Sequence, residues 1–355
     1  MVPMRESQQT SHTRSPLLIA ASLTLGGGLL VLMLGAGRET ANPAAADIAF
    51  ASHRDGNWEI YLMAADGQHQ RRLTRRSTEE RFPLWSPDRR QIAFGSMVGA
   101  SFGTGWELWV MNADGTGQRR LASHIAAKSA RGWSPDGKRI AYTATANDNV
   151  DIYTVEVQSG RTTRLTSAPD DDRDPSWSPD GTQLAFASSR DGTSQVYVMS
   201  ADGRNRRRLT NEGTAALAPR WSPDGKAIAY TGGGDSGRDL YLVPASGGPS
   251  RRLTTYAHLT RDAAHWSPDG SRIAYQMADG KNYNIGIAQL AKSPHAPSLI
   301  AASPEYDGSF TWSPDGTRLA FISGRDGSDA VYVTDVEGTR ATRLTSSSSL
   351  TPAWR

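Results

Sequence analysis

The residues best suited to chemistry gather in a few loops. Asp170, Asp171, Asp172 and Asp174 surround Arg173, and such hard carboxylate oxygens are the ligands Ca²⁺ takes. The run lacks the spaced ligands and the glycine of a calcium loop, so a solvated loop held by Arg173 is the plainer reading. His258 and His265 flank Asp262, and imidazoles with a carboxylate suit several transition metals. A third ligand would have to come from elsewhere, His124 being one source, so the two histidines are only weak metal candidates. Arg81, Arg131, Arg220, Glu305 and Asp307 lie in comparable loops. The candidate ligand-binding set is therefore Arg81, Arg131, Asp170, Asp172, Arg173, Asp174, Arg220, His258, Asp262, His265, Glu305 and Asp307. Cysteine is absent, which excludes thiolate nucleophiles, thiolate metal sites and disulfides. No Gly-x-Ser-x-Gly elbow is present. No catalytic residue and no cofactor is expected.

The elements that would carry these loops are repeated. Trp-Ser-Pro-Asp occurs six times, beginning at Trp85, Trp133, Trp177, Trp221, Trp266 and Trp312, and Trp354 stands near the end after Thr351-Pro352-Ala353. A period in the forties with strand-like content is the signature of a β-propeller. After each phrase comes a strand of the Ile92-Ala93-Phe94 type, then one of the Ile60-Tyr61-Leu62-Met63 type, then a short Arg-Leu-Thr strand such as Arg71 to Thr74. Asp-Gly pairs between them supply hairpin turns. The first phrase reads Asp88-Arg89 and lacks the glycine, so a strained or different turn is expected there.

Counting each strand type gives an all-β fold, a seven-bladed β-propeller of four-stranded antiparallel blades, if degenerate copies at Ile285 to Ala288 and Ser298 to Ala301 are accepted. The chain enters on Ile48-Ala49-Phe50 with no tryptophan strand before it and leaves on Leu350 to Arg355 with nothing after it. The terminal strand is therefore expected to complete blade one, which removes two exposed sheet edges. Trp85, Trp133, Trp177, Trp221, Trp266, Trp312 and Trp354 suit the seams between blades. The paired arginines of the fourth strand read as cationic blunting of an outer edge.

With 39 basic against 36 acidic residues and no long block of one sign, a phosphate-binding surface and a nucleic-acid partner are not expected. Residues 17–34 are eighteen without a charge, preceded by Arg5 and Arg14. They read as one hydrophobic helix, either a signal-peptide core with a cleavage site at Ala44-Ala45-Ala46 or an uncleaved anchor in the cytoplasmic membrane. The anchor is favoured, with residues 1–16 cytoplasmic, 35–46 a linker and 47–355 an exported propeller, periplasmic or extracellular.

Taken together, the Trp-Ser-Pro-Asp-Gly, Ile-Ala-Phe, Ile-Tyr-Val-Met, Ala-Asp-Gly and Arg-Leu-Thr phrases resemble the WD40-like repeat of the TolB propeller family, over about residues 47–355. The resemblance implies a propeller of the bacterial cell envelope. The family's namesake works in the Tol-Pal system, where its propeller binds the peptidoglycan-associated lipoprotein; related propellers gate substrate in prolyl oligopeptidases, and another group acts as oligogalacturonate lyase. This chain departs from each, lacking an α/β domain before the propeller, a hydrolase domain, and more than scattered histidines. The expected function is non-catalytic binding of an envelope protein or glycan through the variable-loop face and channel mouth. Two alternatives stand: a metal-dependent lyase or hydrolase with His258 and His265 in the channel, and a structural envelope scaffold.

Overall fold

A computed structural model describes residues 47–99, 105–126, 132–146, 149–234, 237–255, 258–280, 282–292 and 298–355. The apolar segment 17–34, Arg131 and the side chain of Asp262 lie outside what it describes. Among the described residues no helix is long and apolar enough to cross a membrane.

Among the described residues the architecture is propeller-like and all-β, with strands throughout and one 3₁₀ turn, Leu290–Lys292. Asp172–Trp177, Gln183–Ser188, Gln195–Ser200 and Arg207–Arg208 form a four-stranded antiparallel sheet in chain order. Sheets over 215–252, 259–301 and 307–343 repeat that order, and residues 79–164 form one eight-stranded sheet. Its two halves are joined by a single residue pair, Ile125 opposite Ala144.

A closure sheet unites the two ends of the described chain. Ser349–Trp354 lies first in it, beside Asp47–Ser52, then Glu59–Ala64 and Arg71–Arg72. Ile48 stands opposite Trp354 and Ser52 opposite Ser349, and an ion pair from Arg355 to Asp47 at 3.2 Å fastens the end. The terminal strand also packs on the 307–343 sheet, and each other first strand packs on the sheet before it, so the sheets follow one another in a circle.

Two side-chain patterns explain why the repeat folds this way. Across the second and third strands an aromatic pair recurs, Phe50 with Tyr61, Phe94 with Trp109, Tyr142 with Tyr153, Phe186 with Tyr197, Tyr230 with Tyr241 and Phe321 with Tyr332, at 5.4 to 6.5 Å between centroids. Such cross-strand pairs are the unit of sheet stabilisation. The degenerate copy has Gly286 instead, and the ring of Tyr275 fills the place where its Cβ would be, 2.7 Å away.

The tryptophans form the second pattern. Trp85, Trp133, Trp266 and Trp312 donate from Nε1 to the carbonyls of Ala353, Leu84, Arg220 and His265 at 3.0 to 3.1 Å. Each acceptor is the residue just before the preceding sheet's tryptophan, so these rings staple seam to seam. All seven are buried or half-buried, as a seam role requires.

Candidate functional site

Successive strands reverse, so the turns from first to second and third to fourth strand share one face of the ring. The loops into the first strands, with the turns from second to third, share the other. On the first face every copy of the repeated phrase makes the same bonds. The serine Oγ donates to the aspartate Oδ1 at 2.5 to 2.7 Å. That carboxylate accepts the N–H two residues on, and the serine oxygen accepts the N–H that opens the second strand. These donors hold the six carboxyl groups below the usual range, Asp269 and Asp315 at about 2.

The paired arginines are absorbed by the fold as well. The first of each pair reaches a backbone carbonyl in the next sheet's turn: Arg71 to Ala113 and Asp114, Arg119 to Val157, Arg207 to Ala245 and Arg251 to Leu290. The second reaches its own sheet's third strand, where Arg72 meets Glu59 at 2.5 Å, Arg120 meets Glu107 at 2.7 Å, Arg164 meets Asp151 at 2.5 Å and Arg252 meets Asp239. Edge blunting is thus only part of their role. In these four the charge is matched by buried or nearly buried carboxylates, whereas Arg208 and Arg343 meet the half-exposed Asp191 and Asp326 at 3.5 and 3.7 Å.

The opposite face is built differently in each copy. Three residues before the tryptophan the backbone turns left-handed, at Phe82 (58°), Asp174 (57°), Ala218 (49°), Ser309 (44°) and Thr351 (49°). The strand register shifts at the same place, so each of these first strands carries a bulge. A left-handed residue other than glycine costs roughly 1 to 2 kcal/mol, and bulges of this kind re-aim side chains beside functional surfaces.

The predicted loop residues separate into buried and exposed groups. Asp172 is fully buried and takes both its bonds from Arg190 Nη2, at 3.0 and 2.9 Å. Asp307 is fully buried under Arg325, at 3.2 and 3.4 Å. Asp174 is buried at its bulge. Arg173 pairs with Asp171 at 2.6 Å, whereas Asp170 is exposed. Arg81 pairs with Glu79 at 2.8 Å and lies 4.6 Å over the Trp58 ring. Arg220 donates to the Pro219 carbonyl at 2.9 Å, and Glu305 is exposed, its N–H held by Ser303. Asp170 and Glu305 are thus exposed and Arg173 half-buried, while Asp172 and Asp307 hold the sheets.

A family model of the TolB beta propeller domain matches residues 101–258 and 202–355. The chain belongs to the TolB β-propeller family. No curated protein matches it in sequence. Among solved structures, TolB from Acinetobacter baumannii is 20% identical with a TM-score of 0.54, over 86% of this chain and 82% of that one. An oligogalacturonate lyase in complex with manganese is 17% identical with a TM-score of 0.65, over 81% and 85%. A Mycobacterium tuberculosis puromycin-hydrolysing peptidase is 15% identical with a TM-score of 0.62, over 84% of this chain but 53% of its own. These likenesses establish a shared fold.

Within this TolB-family propeller the two candidate histidines lie apart, His258 just before one first strand and His265 near its end. His258 and His265 stand against Ala278 and Ala274 of the neighbouring strand, four residues or about 14 Å apart at ~3.4 Å per residue. His265 rests on Phe310 at 5.1 Å, and His124 belongs to the separate 79–164 sheet. Among the described residues no group of three or more His, Asp or Glu is placed to hold a metal ion.

Two glutamates that sequence reasoning passed over are the least expected feature of the variable face. Glu59 opens a third strand, Glu80 lies in the next first strand, and both are fully buried. Their only sequence signal is Glu80's place five residues before a tryptophan, shared with Asp172 and Asp307. By contrast, three clefts, of about 430, 400 and 600 Å³, open on the Ser-Pro-Asp-Gly face along outer seams.

Proposed function

We propose that the chain is an exported, seven-bladed propeller that binds an envelope protein or glycan, without catalysis, through the face carrying the variable loops and the channel mouth. The seven blades follow if the eight-stranded sheet is two blades joined at Ile125 and Ala144. Residues 17–34 would carry the propeller out of the cytoplasm and tether it to the membrane.

The observation that carries this reading is the asymmetry of the faces. One is consumed by turn-internal bonds repeated in all six copies of the phrase and by bonds that span several of the seams. The other combines five left-handed bulges, different loops, exposed Asp170 and Glu305 and half-buried Arg173 on a rigid frame, which is where recognition is usually built. The lyase reading finds no support in the placement of His258 and His265.

Crosslinking capture from intact cells with the full chain tests it. The triple charge reversal Asp170→Lys, Arg173→Glu, Glu305→Lys should abolish capture of a partner, while Glu337→Lys on the opposite face should preserve it. Capture unaffected by the triple reversal would reject this face as the binding surface and favour a scaffold role.

A further inference from the structure

The repeat supplies its own control for one buried group. Five residues before the first-strand tryptophan stand Glu80, Asp172 and Asp307, each fully buried. Asp172 and Asp307 are matched by Arg190 and Arg325 from the turn after the second strand. In Glu80's copy that arginine is replaced by Val98, which is 53% exposed. The closure sheet has the opposite mismatch. Arg54 is present, but Ser349 occupies the acid's place, and Arg54 bonds Ser52 and Gln70 instead.

Glu80 shares its surroundings with a second buried carboxyl, Glu59: Arg76 donates its N–H to Glu59 and brings Nε to Glu80, and Asn57 Nδ2 bridges Glu59 and the carbonyl of Thr78, whose hydroxyl bonds Glu80. Oε1 of Glu59 accepts Arg72 Nη2 at 2.5 Å, the Arg76 N–H at 2.9 Å and Asn57 Nδ2 at 3.2 Å. Oε1 of Glu80 accepts the hydroxyls of Thr78 at 2.6 Å and Ser96 at 3.0 Å, with Arg76 Nε 3.5 Å away. The guanidinium groups nearby are shared with other partners: Arg72 also meets Asp55, Arg76 also lies 3.8 Å over the Trp109 ring, and Arg81 meets Glu79. Oε2 of each glutamate is buried, with no donor directed at it among the described residues. Two carboxylates cannot donate to each other, whereas one proton between them satisfies both oxygens.

We propose that Glu59 and Glu80 share one proton and form a pH-sensitive latch across the seam between the closure sheet and the strands that follow it. This is the seam on which the terminal strand depends, through Phe82 N–H to Thr351 Oγ1 at 3.4 Å and Trp85 Nε1 to the Ala353 carbonyl at 3.1 Å. Burial first, and then the charge of Glu59, push the Glu80 carboxyl up to about 7. Its folded value lies above the ordinary 4.5, so between those values the native state holds a proton the unfolded chain has lost. The contribution to stability is thus greatest below about 4.5 and is lost as pH rises through about 7. Above that, two like charges are buried side by side and the seam loosens.

The test follows the thermal unfolding midpoint of the full chain between pH 5 and pH 8. The wild type should lose stability across that range, Glu80→Gln should remove this loss, and Val98→Arg should also remove it by restoring the repeat's guanidinium. Backbone hydrogen exchange in Ser349–Trp354 should accelerate above pH 7 relative to Gln183–Ser188, the internal control, only in the wild type. Equal losses in all three proteins would overturn the latch. Should Glu80→Gln fail to fold, the infrared carbonyl stretch of a protonated carboxyl in the wild type decides: its presence at pH 6 and loss by pH 8 supports the shared proton, and its absence at pH 6 refutes it.

Discussion

The two faces of the ring spend the same repeat differently. On the Ser-Pro-Asp-Gly face six copies make identical bonds, and Pro87, Pro135, Pro179, Pro223 and Pro268 each lie 3.3 to 3.9 Å from where the next sheet's turn glycine would carry a Cβ. On the other face one pair of positions holds acid with arginine (Asp172 and Arg190, Asp307 and Arg325), acid without arginine (Glu80 and Val98), or arginine without acid (Arg54 and Ser349). Where one set of bonds secures every Ser-Pro-Asp turn, variation is expensive. Where that work is already done, the copies can diverge.

Removing a seam contact common to the whole ring should have the largest effect. Trp354→Ala deletes a buried ring that also lies under Arg318 at 5.0 Å, and should cost about 3 to 5 kcal/mol in denaturant unfolding. The half-buried Trp221 should cost less when replaced in the same way. Equal costs would mean that the terminal strand contributes no more than any other.

The divergent face offers a sharper contrast at one repeat position. Arg190→Ala strands a fully buried carboxylate, Asp172, and breaking such a pair costs about 3 kcal/mol or more. Arg54→Ala removes the corresponding arginine where no acid waits, and should cost under about 1 kcal/mol, the scale of an ordinary hydrogen bond. A matching loss for the two variants would erase the distinction between paired and unpaired copies.

Sequence periodicity revealed what was repeated and missed what varied. The closing strand could be read because Trp354 and the unpaired Ile48 strand are two halves of one pattern, and the degenerate strands Asn282–Gln289 and Ser298–Ala301 lie where the spacing puts them. The Asp170 to Asp174 run misleads because its acidity suggests a solvated loop. A strand begins at Asp172, however, and burial there tracks the arginine eighteen residues on. The bulge has no fixed residue type, only a following proline at Pro83, Pro175, Pro219 and Pro352. The approach of Glu59 and Glu80 through Arg76 joins different sheets with different registers, and no local pattern encodes it.

On the uniform face the effects should be smaller and equal. Ser178→Ala, and likewise Ser134→Ala or Ser267→Ala, removes a donor to the turn aspartate and should cost about 1 kcal/mol each; a spread much wider than that would show that the copies are less alike than their bonds. The same aspartates set the acid limb. Their carboxyl groups are lowered in the folded chain, so their contribution is present above about pH 4 and is lost as pH falls toward about 2. Asp269→Asn with Asp315→Asn should flatten that acid limb and leave the loss between pH 5 and pH 8 untouched, separating the two faces by pH alone.

The smallest predicted effect tests the one turn where the repeat breaks its own rule. Arg89 stands where the other copies have glycine and adopts φ of 61°, against 69° at Gly137 and 70° at Gly181. The bonds around Asp88 are the same as elsewhere, so the turn has kept its geometry and accepted backbone strain instead of changing type. Glycine relieves roughly 1 kcal/mol or more of that strain and returns part of it as unfolded-chain entropy, about 0.4 to 1 kcal/mol. Arg89→Gly should therefore raise stability by about 0.5 kcal/mol, and the reverse change Gly181→Arg should cost more than this, because a Cβ there meets Pro135 Cδ at 3.4 Å. If Arg89→Gly destabilises instead, the arginine side chain is holding this turn through contacts its backbone does not reveal, and the first copy is then an exception to the uniform face.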